Sequence, residues 1–195
     1  MARCYSDPVP IRQPSLPLVW LVSDARNDGG LERALRRLPR GSGLIFRHYH
    51  LSPPARRARF KALRRVAHAC GHWVVLSGSA MQARLWSADG AYGSAAALTK
   101  GPATTRLVTA HSLRDIAQAK RADAIMLSPV FPTRSHPGAA PLGPARFRLL
   151  STHSRLPVIA LGGMTARRAH AYGITRWAAI DGLATASTAM FPVYS

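Results

Sequence analysis

Residues Ala122–Thr133 read ADAIMLSPVFPT, and this stretch decides the fold of the chain. Its first half contains an apolar run, Ala124–Leu127, without the polar alternation of a half-exposed strand, which is typical of a strand buried on both faces. Ser128 and Pro129 end the run, and a connection rich in proline and glycine follows. We interpret that connection either as an ordinary surface loop or, because of its length, as a functional lid.

Similar β-rich runs occur on both sides of this stretch and alternate with helical segments. The other predicted strands are Leu18–Ser23, Gly43–Tyr49, Trp73–Leu76, Gly90–Tyr92, Arg106–Ala110, Val158–Leu161 and Trp177–Ile180. The predicted helices are Leu31–Leu38, Pro54–Ala69, Ser112–Lys120 and Thr165–Tyr172. Eight strands alternating with helices predict a small, single-domain (β/α)8 TIM barrel, with an open doubly wound sheet as the alternative.

The ends of the chain and its two cysteines indicate a simple organisation. Residues 18–195 form the predicted barrel domain, and residues 1–17 are expected to be a loosely ordered N-terminal extension. That extension has no continuous apolar run, so we expect neither a signal peptide nor a membrane span. Cys4 and Cys70 are far apart and lack metal-type spacing, which favours a reducing, cytoplasmic location.

The formal charge of +19 comes mainly from arginine. It is consistent with a surface for nucleic acid or another polyanion, or with an arginine-rich bias on solvated helix faces. The basic residues are scattered at helical spacing, and no aromatic residues lie between them as stacking platforms. The second interpretation is favoured, and we expect no nucleic-acid partner.

Carboxylates are scarce, and their positions limit the chemistry. In a barrel of this type the active site lies at the C-terminal ends of the strands. Asp89 and Asp123 precede their strands and belong to the opposite face, whereas Asp24 and Asp181 follow theirs, with Asp28 nearby in the first loop. We therefore expect no magnesium site rich in carboxylates.

Paired glycines follow the seventh predicted strand in Val158–Met164, VIALGGM, and Thr165 then opens a helix. Paired glycines at a strand end are often only a turn. After the seventh strand of a barrel they are also the expected phosphate site, since their backbone amides can approach an anion beside a helix N-terminus.

Four segments in the same order resemble the thiamine phosphate synthase/TenI family. They are Ala88–Gly93 (ADGAYG), Val108–Ala119 (VTAHSLRDIAQA), Ala122–Thr133 and Val158–Gly163 (VIALGG). The corresponding family pattern is ADGVHLG, a Ser/Thr-x-His-Ser/Thr strand end, a GPVFPT-type segment and AIGGI. The resemblance implies a TIM barrel that acts on thiazole phosphate and, in the synthases, on a pyrimidine diphosphate with magnesium. The implied partner is a small-molecule phosphate, thiazole phosphate or thiamine phosphate, and a homo-oligomer is possible.

The departures from the family pattern fall on the diphosphate and metal ligands. Ile45, Arg47 and Tyr49 stand where the synthases have Gln-x-Arg-x-Lys, and Ser77-Gly78 stands where they have Asn-Asp. Family positions in the later loops are taken by His136 instead of lysine and by Ile180-Asp181 instead of Ile-Ser. No cofactor is therefore expected, and synthase activity is in doubt. The candidate ligand-binding residues are Arg47, Tyr49, Thr109, Thr133, Arg134, Ser135, His136, Gly162, Gly163, Ile180 and Asp181.

His111 is the candidate catalytic residue. It shares a strand face with Thr109, so both side chains are expected at the same rim of the pocket. TenI-type thiazole tautomerases resemble this segment and use the matching histidine for proton transfer, a task that suits histidine near neutral pH. Alternatively, His111 caps the next helix or bonds to backbone. His48 is expected to face the helices in a structural role, and His72 is expected on the surface.

Three functions follow from these observations. The first is a thiamine phosphate synthase, the second is a metal-free thiazole tautomerase that uses His111, and the third is a non-catalytic protein that binds a phosphate ligand.

Overall fold

A computed structural model describes residues 15–134, 138 and 140–184. Eight parallel strands close into a barrel in the order of the sequence. They are β1 (Val19–Val22), β2 (Gly43–Phe46), β3 (Trp73–Ser77), β4 (Gly90–Ser94), β5 (Thr105–Ala110), β6 (Ala124–Leu127), β7 (Val158–Leu161) and β8 (Trp177–Ala179). Pairing of Leu21 with Ala179 joins the last strand to the first. The predicted TIM barrel is confirmed, and the open sheet is excluded.

Helices cover the outside of the barrel. A short 3-10 helix (Ala25–Gly30) precedes α1 (Leu31–Arg37), followed by α2 (Pro53–Ala69), α3 (Ala80–Leu85), α4 (Ala95–Leu98), α5 (Leu113–Gln118), α6 (Gly143–Thr152), α7 (Ala166–Ala171) and α8 (Asp181–Ala184). Ser112 and Thr165, predicted as helix starts, are N-caps whose hydroxyls accept hydrogen bonds from the first turn. Throughout the residues described, no helix is long and apolar enough to cross a membrane.

The strands bury both of their faces, which explains their apolar composition. One set of side chains fills the barrel interior and includes Trp20, Ile45, Val75, Leu107, Met126 and Ile159. The alternate set, for example Leu21, Leu44 and Leu76, packs against the helices. This alternation follows from the two-residue period of a strand, and it points the residues at the strand ends toward either the barrel mouth or the helices.

Structural carboxylates lie at the N-terminal end of the barrel. Asp89 Oδ2 accepts hydrogen bonds from the Val74 backbone N–H at 2.6 Å and from His68 Nε2 at 2.9 Å. Asp123 Oδ2 accepts one from the Arg106 N–H at 2.7 Å. Both residues therefore stabilise neighbouring strands on the face opposite the mouth.

Three details differ from the sequence predictions or fall outside the described part. The predicted strand Gly43–Tyr49 ends at Phe46, because His48 has a φ of +40° and leaves the extended conformation. His72 is buried rather than on the surface, with Nε2 lying 2.8 Å from the Leu35 carbonyl oxygen. Most of the predicted extension, residues 1–14, lies outside the described residues. Leu16 packs against the barrel interior, while the boundary at residue 17 stays a prediction.

Candidate active site

A cavity of about 750 Å³ lies at the mouth formed by the C-terminal ends of the strands. It brings together every predicted site residue that the structure describes. These are Arg47, Tyr49, Thr109, His111, Thr133, Arg134, Gly162, Gly163, Ile180 and Asp181. The remaining two, Ser135 and His136, lie outside the described residues. The prediction that these strand ends converge at one mouth therefore holds for the described part of the set.

A glycine turn forms one wall of the cavity. Gly162 and Gly163 have φ values of +97° and +60°, a region that favours glycine. A Cβ atom on Gly163 would lie 2.5 Å from the Pro132 carbonyl oxygen, so the turn packs directly against the loop after β6. In the part of the chain that the structure describes, the backbone N–H groups of Gly163 and Met164 donate no hydrogen bond, whereas that of Gly162 continues the ladder toward β8. Successive unpaired N–H groups beside a cavity suit an anion.

Arg168 lies beside this turn and was not identified from the sequence. Its guanidinium donates a hydrogen bond from Nη1 to the Gly163 carbonyl oxygen, and its Cζ lies 4.7 Å from the centre of the Phe131 ring. The side chain also lines the cavity. Its position in the first turn of α7, three residues after the Thr165 N-cap, is the sequence signal that would have found it.

The wall opposite the glycine turn is held together by contacts between the ends of β2 and β3. The Tyr49 hydroxyl hydrogen-bonds to the Ser77 hydroxyl. Arg56 donates to the carbonyl oxygens of Arg47 at 2.8 Å and Ser77 at 2.7 Å. Arg47 Cζ lies 5.5 Å from the centre of the Tyr49 ring. We call this set of residues (Arg47, Tyr49, Arg56 and Ser77) the β2–β3 clamp.

A buried hydrogen-bond chain supports the backbone of Arg47. The Ser23 hydroxyl accepts a hydrogen bond from the Arg47 N–H at 2.8 Å and is also hydrogen-bonded to His48 Nδ1 at 2.8 Å. His48 Nε2 then donates to Asp28 at 2.7 Å. Burial lowers the pKa of His48, and the hydrogen bond with Asp28 only partly opposes this. His48 thus faces the helix side, as predicted.

Tyr92 lines the floor of the cavity. Its phenol is almost completely buried, and burial raises its pKa to about 12. The hydroxyl therefore stays protonated at neutral pH. Together with the clamp hydroxyls of Tyr49 and Ser77, it makes this side of the floor polar.

His111 lies at the rim and is exposed to the cavity. Its Nδ1 is 2.7 Å from the Ser128 carbonyl oxygen, which can only accept, so Nδ1 carries the hydrogen of the neutral ring. Its backbone N–H donates to Asp115 at 2.8 Å, and this bond is the main reason that the pKa of the Asp115 carboxyl is lowered. Nε2 is then the basic nitrogen of the neutral ring, and it bonds to none of the described residues. A structural histidine would also make the contact between Nδ1 and the Ser128 carbonyl oxygen, but this contact leaves Nε2 of His111 available as a basic nitrogen.

The residues at the mouth do not fit a magnesium ion. Asp181 lines the cavity, while Asp24 caps the 3-10 helix, and Arg26 contacts both carboxylates at 3.0 Å (Asp24) and 3.5 Å (Asp181). Within residues 15–134, 138 and 140–184, no three His, Cys, Asp or Glu side chains are grouped to hold a metal. The Ser77 hydroxyl at the same mouth is hydrogen-bonded to the Tyr49 hydroxyl.

The fold and the mouth define a TIM barrel with a glycine turn after β7 at the wall of its cavity. The model of the thiamine monophosphate synthase family (TMP-TENI) matches residues 19–184, and the chain belongs to this family.

Two curated relatives match shorter segments. A putative thiamine-phosphate synthase 2 of Aquifex aeolicus is 46% identical over 59 residues, which cover 29% of this chain and 32% of the relative. A thiamine-phosphate synthase of Chloroflexus aurantiacus is 37% identical over 83 residues, which cover 41% of this chain and 37% of the relative. The matches thus span about a third of the length of each relative.

Among solved structures, a thiamine phosphate pyrophosphorylase of Pyrococcus furiosus has the same fold. It superposes with a TM-score of 0.71, at 21% identity, over 90% of both chains.

Proposed function

We propose that this chain binds a thiazole-type monophosphate of thiamine biosynthesis, and that it does so without a metal ion. The phosphate group lies at the Gly162–Gly163 turn, and the heterocycle extends over the cavity floor toward the β2–β3 clamp. The observation that carries the proposal is the contrast between the two walls. The glycine turn offers unpaired N–H groups, whereas the β2–β3 clamp is closed by hydrogen bonds within the protein.

The glycine turn supports monophosphate binding through its backbone donors. Phe131 N–H bonds to the Gly162 carbonyl oxygen at 3.0 Å, and Val130 N–H bonds to that of Leu161 at 2.9 Å. The carbonyl groups of the turn are thereby directed to the loop after β6. Hydrogen bonds from backbone N–H to a phosphate oxygen are charge-assisted and about twice as strong as neutral ones.

The clamp argues against a diphosphate. A diphosphate leaving group carries roughly three negative charges and is usually stabilised by metal ions and several cationic side chains. Here Arg47 is the family cation on this wall, and Tyr49 and Ser77 bond to each other instead of presenting a lysine and an asparagine. Asp181 adds a negative charge to the same mouth. We therefore expect negligible formation of thiamine phosphate.

A specific observation favours proton transfer as the reaction, if the site is catalytic. The hydrogen bond between His111 Nδ1 and the Ser128 carbonyl fixes one tautomer, so Nε2 can act as a general base. A thiazole tautomerase needs this chemistry and no metal. A purely binding protein is the alternative, and it would leave His111 without an effect on any reaction.

The test combines a binding titration with one histidine variant. In His111→Asn the side-chain amide can still donate to the Ser128 carbonyl, but no basic nitrogen remains. We expect thiazole tautomerase activity to fall on the order of 10²-fold, with the dissociation constant for thiazole phosphate changed less than twofold. His153→Asn, an exposed histidine outside the cavity, is the matched control. Tautomerase activity that survives in His111→Asn would return His111 to a structural role, and efficient thiamine phosphate formation by the wild-type chain would refute the proposal.

A further inference from the structure

We infer that Arg168 is the cationic side chain that binds the ligand's phosphate, and that it distinguishes phosphorylated from unphosphorylated ligands. The inference rests on the proposed function and adds a residue that neither the sequence pattern nor the family match assigns. The Arg168 guanidinium lines the cavity next to the turn with the unpaired N–H groups.

The guanidinium of Arg168 is held in place by two contacts. Nη1 donates to the Gly163 carbonyl oxygen, and the ring of Phe131 lies 4.7 Å from Cζ. An arginine side chain has five N–H groups in a rigid plane, and only one of them is used here by a described residue. The other donors remain available beside the cavity, at little cost in side-chain entropy because the plane is already fixed.

The same contact couples Arg168 to the backbone donors. Because a peptide bond is planar and trans, the Gly163 carbonyl and the Met164 N–H point in opposite directions. A guanidinium that holds the carbonyl on one side therefore directs the N–H to the other. Arg168 thus fixes the orientation of a backbone donor, which points away from the guanidinium, and supplies a positive charge on the carbonyl side of the same turn.

The other arginines in or near the cavity are less suited to this position. Arg47 lies against the Tyr49 ring on the opposite wall. Arg134 belongs to the loop after β6 and is exposed. Arg26 contacts the carboxylate of Asp181. Arg168 alone among these four described arginines donates directly to the glycine turn.

The planar fork of an arginine matches two oxygens of a phosphate, whereas a lysine offers a single point charge. The site should therefore prefer a phosphate monoester to its alcohol by a margin that depends on Arg168. Replacement by lysine should restore only part of that margin, because one ammonium group cannot reproduce both the fork and the contact with Gly163.

The experiment is a calorimetric titration with three probes: inorganic phosphate, thiazole phosphate and the corresponding thiazole alcohol. The variants are Arg168→Gln and Arg168→Lys, with Arg167→Gln as the control. Arg167 is on the same helix and exposed, so its replacement removes the same charge without touching the cavity. We expect Arg168→Gln to weaken both phosphate probes by about 10- to 100-fold, the range for losing a hydrogen bond to a charged group. The alcohol should bind within twofold of wild type, and so should all probes to Arg167→Gln.

Each remaining outcome of the titrations either supports or overturns the role inferred for Arg168. Equal losses in Arg168→Gln and Arg167→Gln would show that only the overall charge matters and would overturn the inference. Equal loss of thiazole phosphate and its alcohol in Arg168→Gln would show that the residue only shapes the turn, and would also overturn it. Binding of inorganic phosphate but not thiazole phosphate, with the loss confined to Arg168→Gln, would support Arg168 while refuting the thiazole ligand. Failure of wild type to bind either phosphate would refute both.

Discussion

Replacing Gly163 by alanine tests the contact between the glycine turn and the loop after β6. The residue has a φ of +60°, where an alanine costs about 1–2 kcal/mol. The new Cβ would also lie 2.5 Å from the Pro132 carbonyl oxygen and 2.9 Å from Phe131 Cβ. Overpacking of this kind typically adds about 1–3 kcal/mol. We therefore expect Gly163→Ala to lower the free energy of unfolding by about 2–5 kcal/mol.

Gly41 provides the matched control for this prediction. It has a φ of +82°, but nothing lies within 4 Å of the Cβ position, so Gly41→Ala should show the conformational cost alone. The assay is urea denaturation of both variants, followed by titration with inorganic phosphate under folding conditions. Gly163→Ala should be less stable than Gly41→Ala and should lose at least tenfold in phosphate affinity, a change of about 1.4 kcal/mol. Equal stability of the two variants, with unchanged phosphate binding, would refute the close packing inferred for the turn.

Two further predictions concern groups away from the glycine turn. Asp123→Ala removes the acceptor of the Arg106 N–H at the end of the barrel opposite the mouth. We therefore expect the free energy of unfolding to fall by about 1–3 kcal/mol, with unchanged ligand affinity. Weaker phosphate binding would contradict the position of Asp123 away from the mouth. The hydrogen bond from Arg59 is the main cause of the lowered pKa of Glu32. The stability that this ion pair contributes is therefore present above the ordinary Glu pKa of about 4.5, and it is lost as the pH falls through the lowered pKa. Urea midpoints between pH 6 and pH 3 should therefore fall less steeply for Arg59→Gln than for the control Arg57→Gln, and equal slopes would contradict the ion pair.

The fold and the composition of the mouth were predictable from the sequence for a topological reason. In a closed parallel barrel all C-terminal strand ends meet at one rim, so locating the strands was enough to bring together residues as distant in sequence as Arg47 and Gly163. Strand periodicity also placed His48 on the helix side correctly. The predicted end of β2 at Tyr49 was wrong, because periodicity does not indicate the positive φ of His48.

Contacts between side chains of separate elements were not predictable in this way. Arg56 reaches the Ser77 carbonyl across 21 positions of sequence, and its pattern on α2 is that of an exposed helical arginine. His72 follows the end of α2 in a turn, a position typical of a surface residue, yet the turn folds beneath the barrel and buries it. Arg168 was overlooked because the glycine pattern alone does not indicate which side chain of the next helix turns back toward it.

The proposed monophosphate site works without a metal ion. It is tested most directly by titrating the wild-type protein with thiazole phosphate and with the pyrimidine diphosphate, each in EDTA and in excess magnesium. We expect thiazole phosphate to bind more tightly than the diphosphate, and we expect magnesium to change the dissociation constant of thiazole phosphate less than twofold. A gain of tenfold or more in affinity for thiazole phosphate with magnesium, equivalent to about 1.4 kcal/mol, would contradict a metal-free site. Tighter binding of the diphosphate would contradict a monophosphate site.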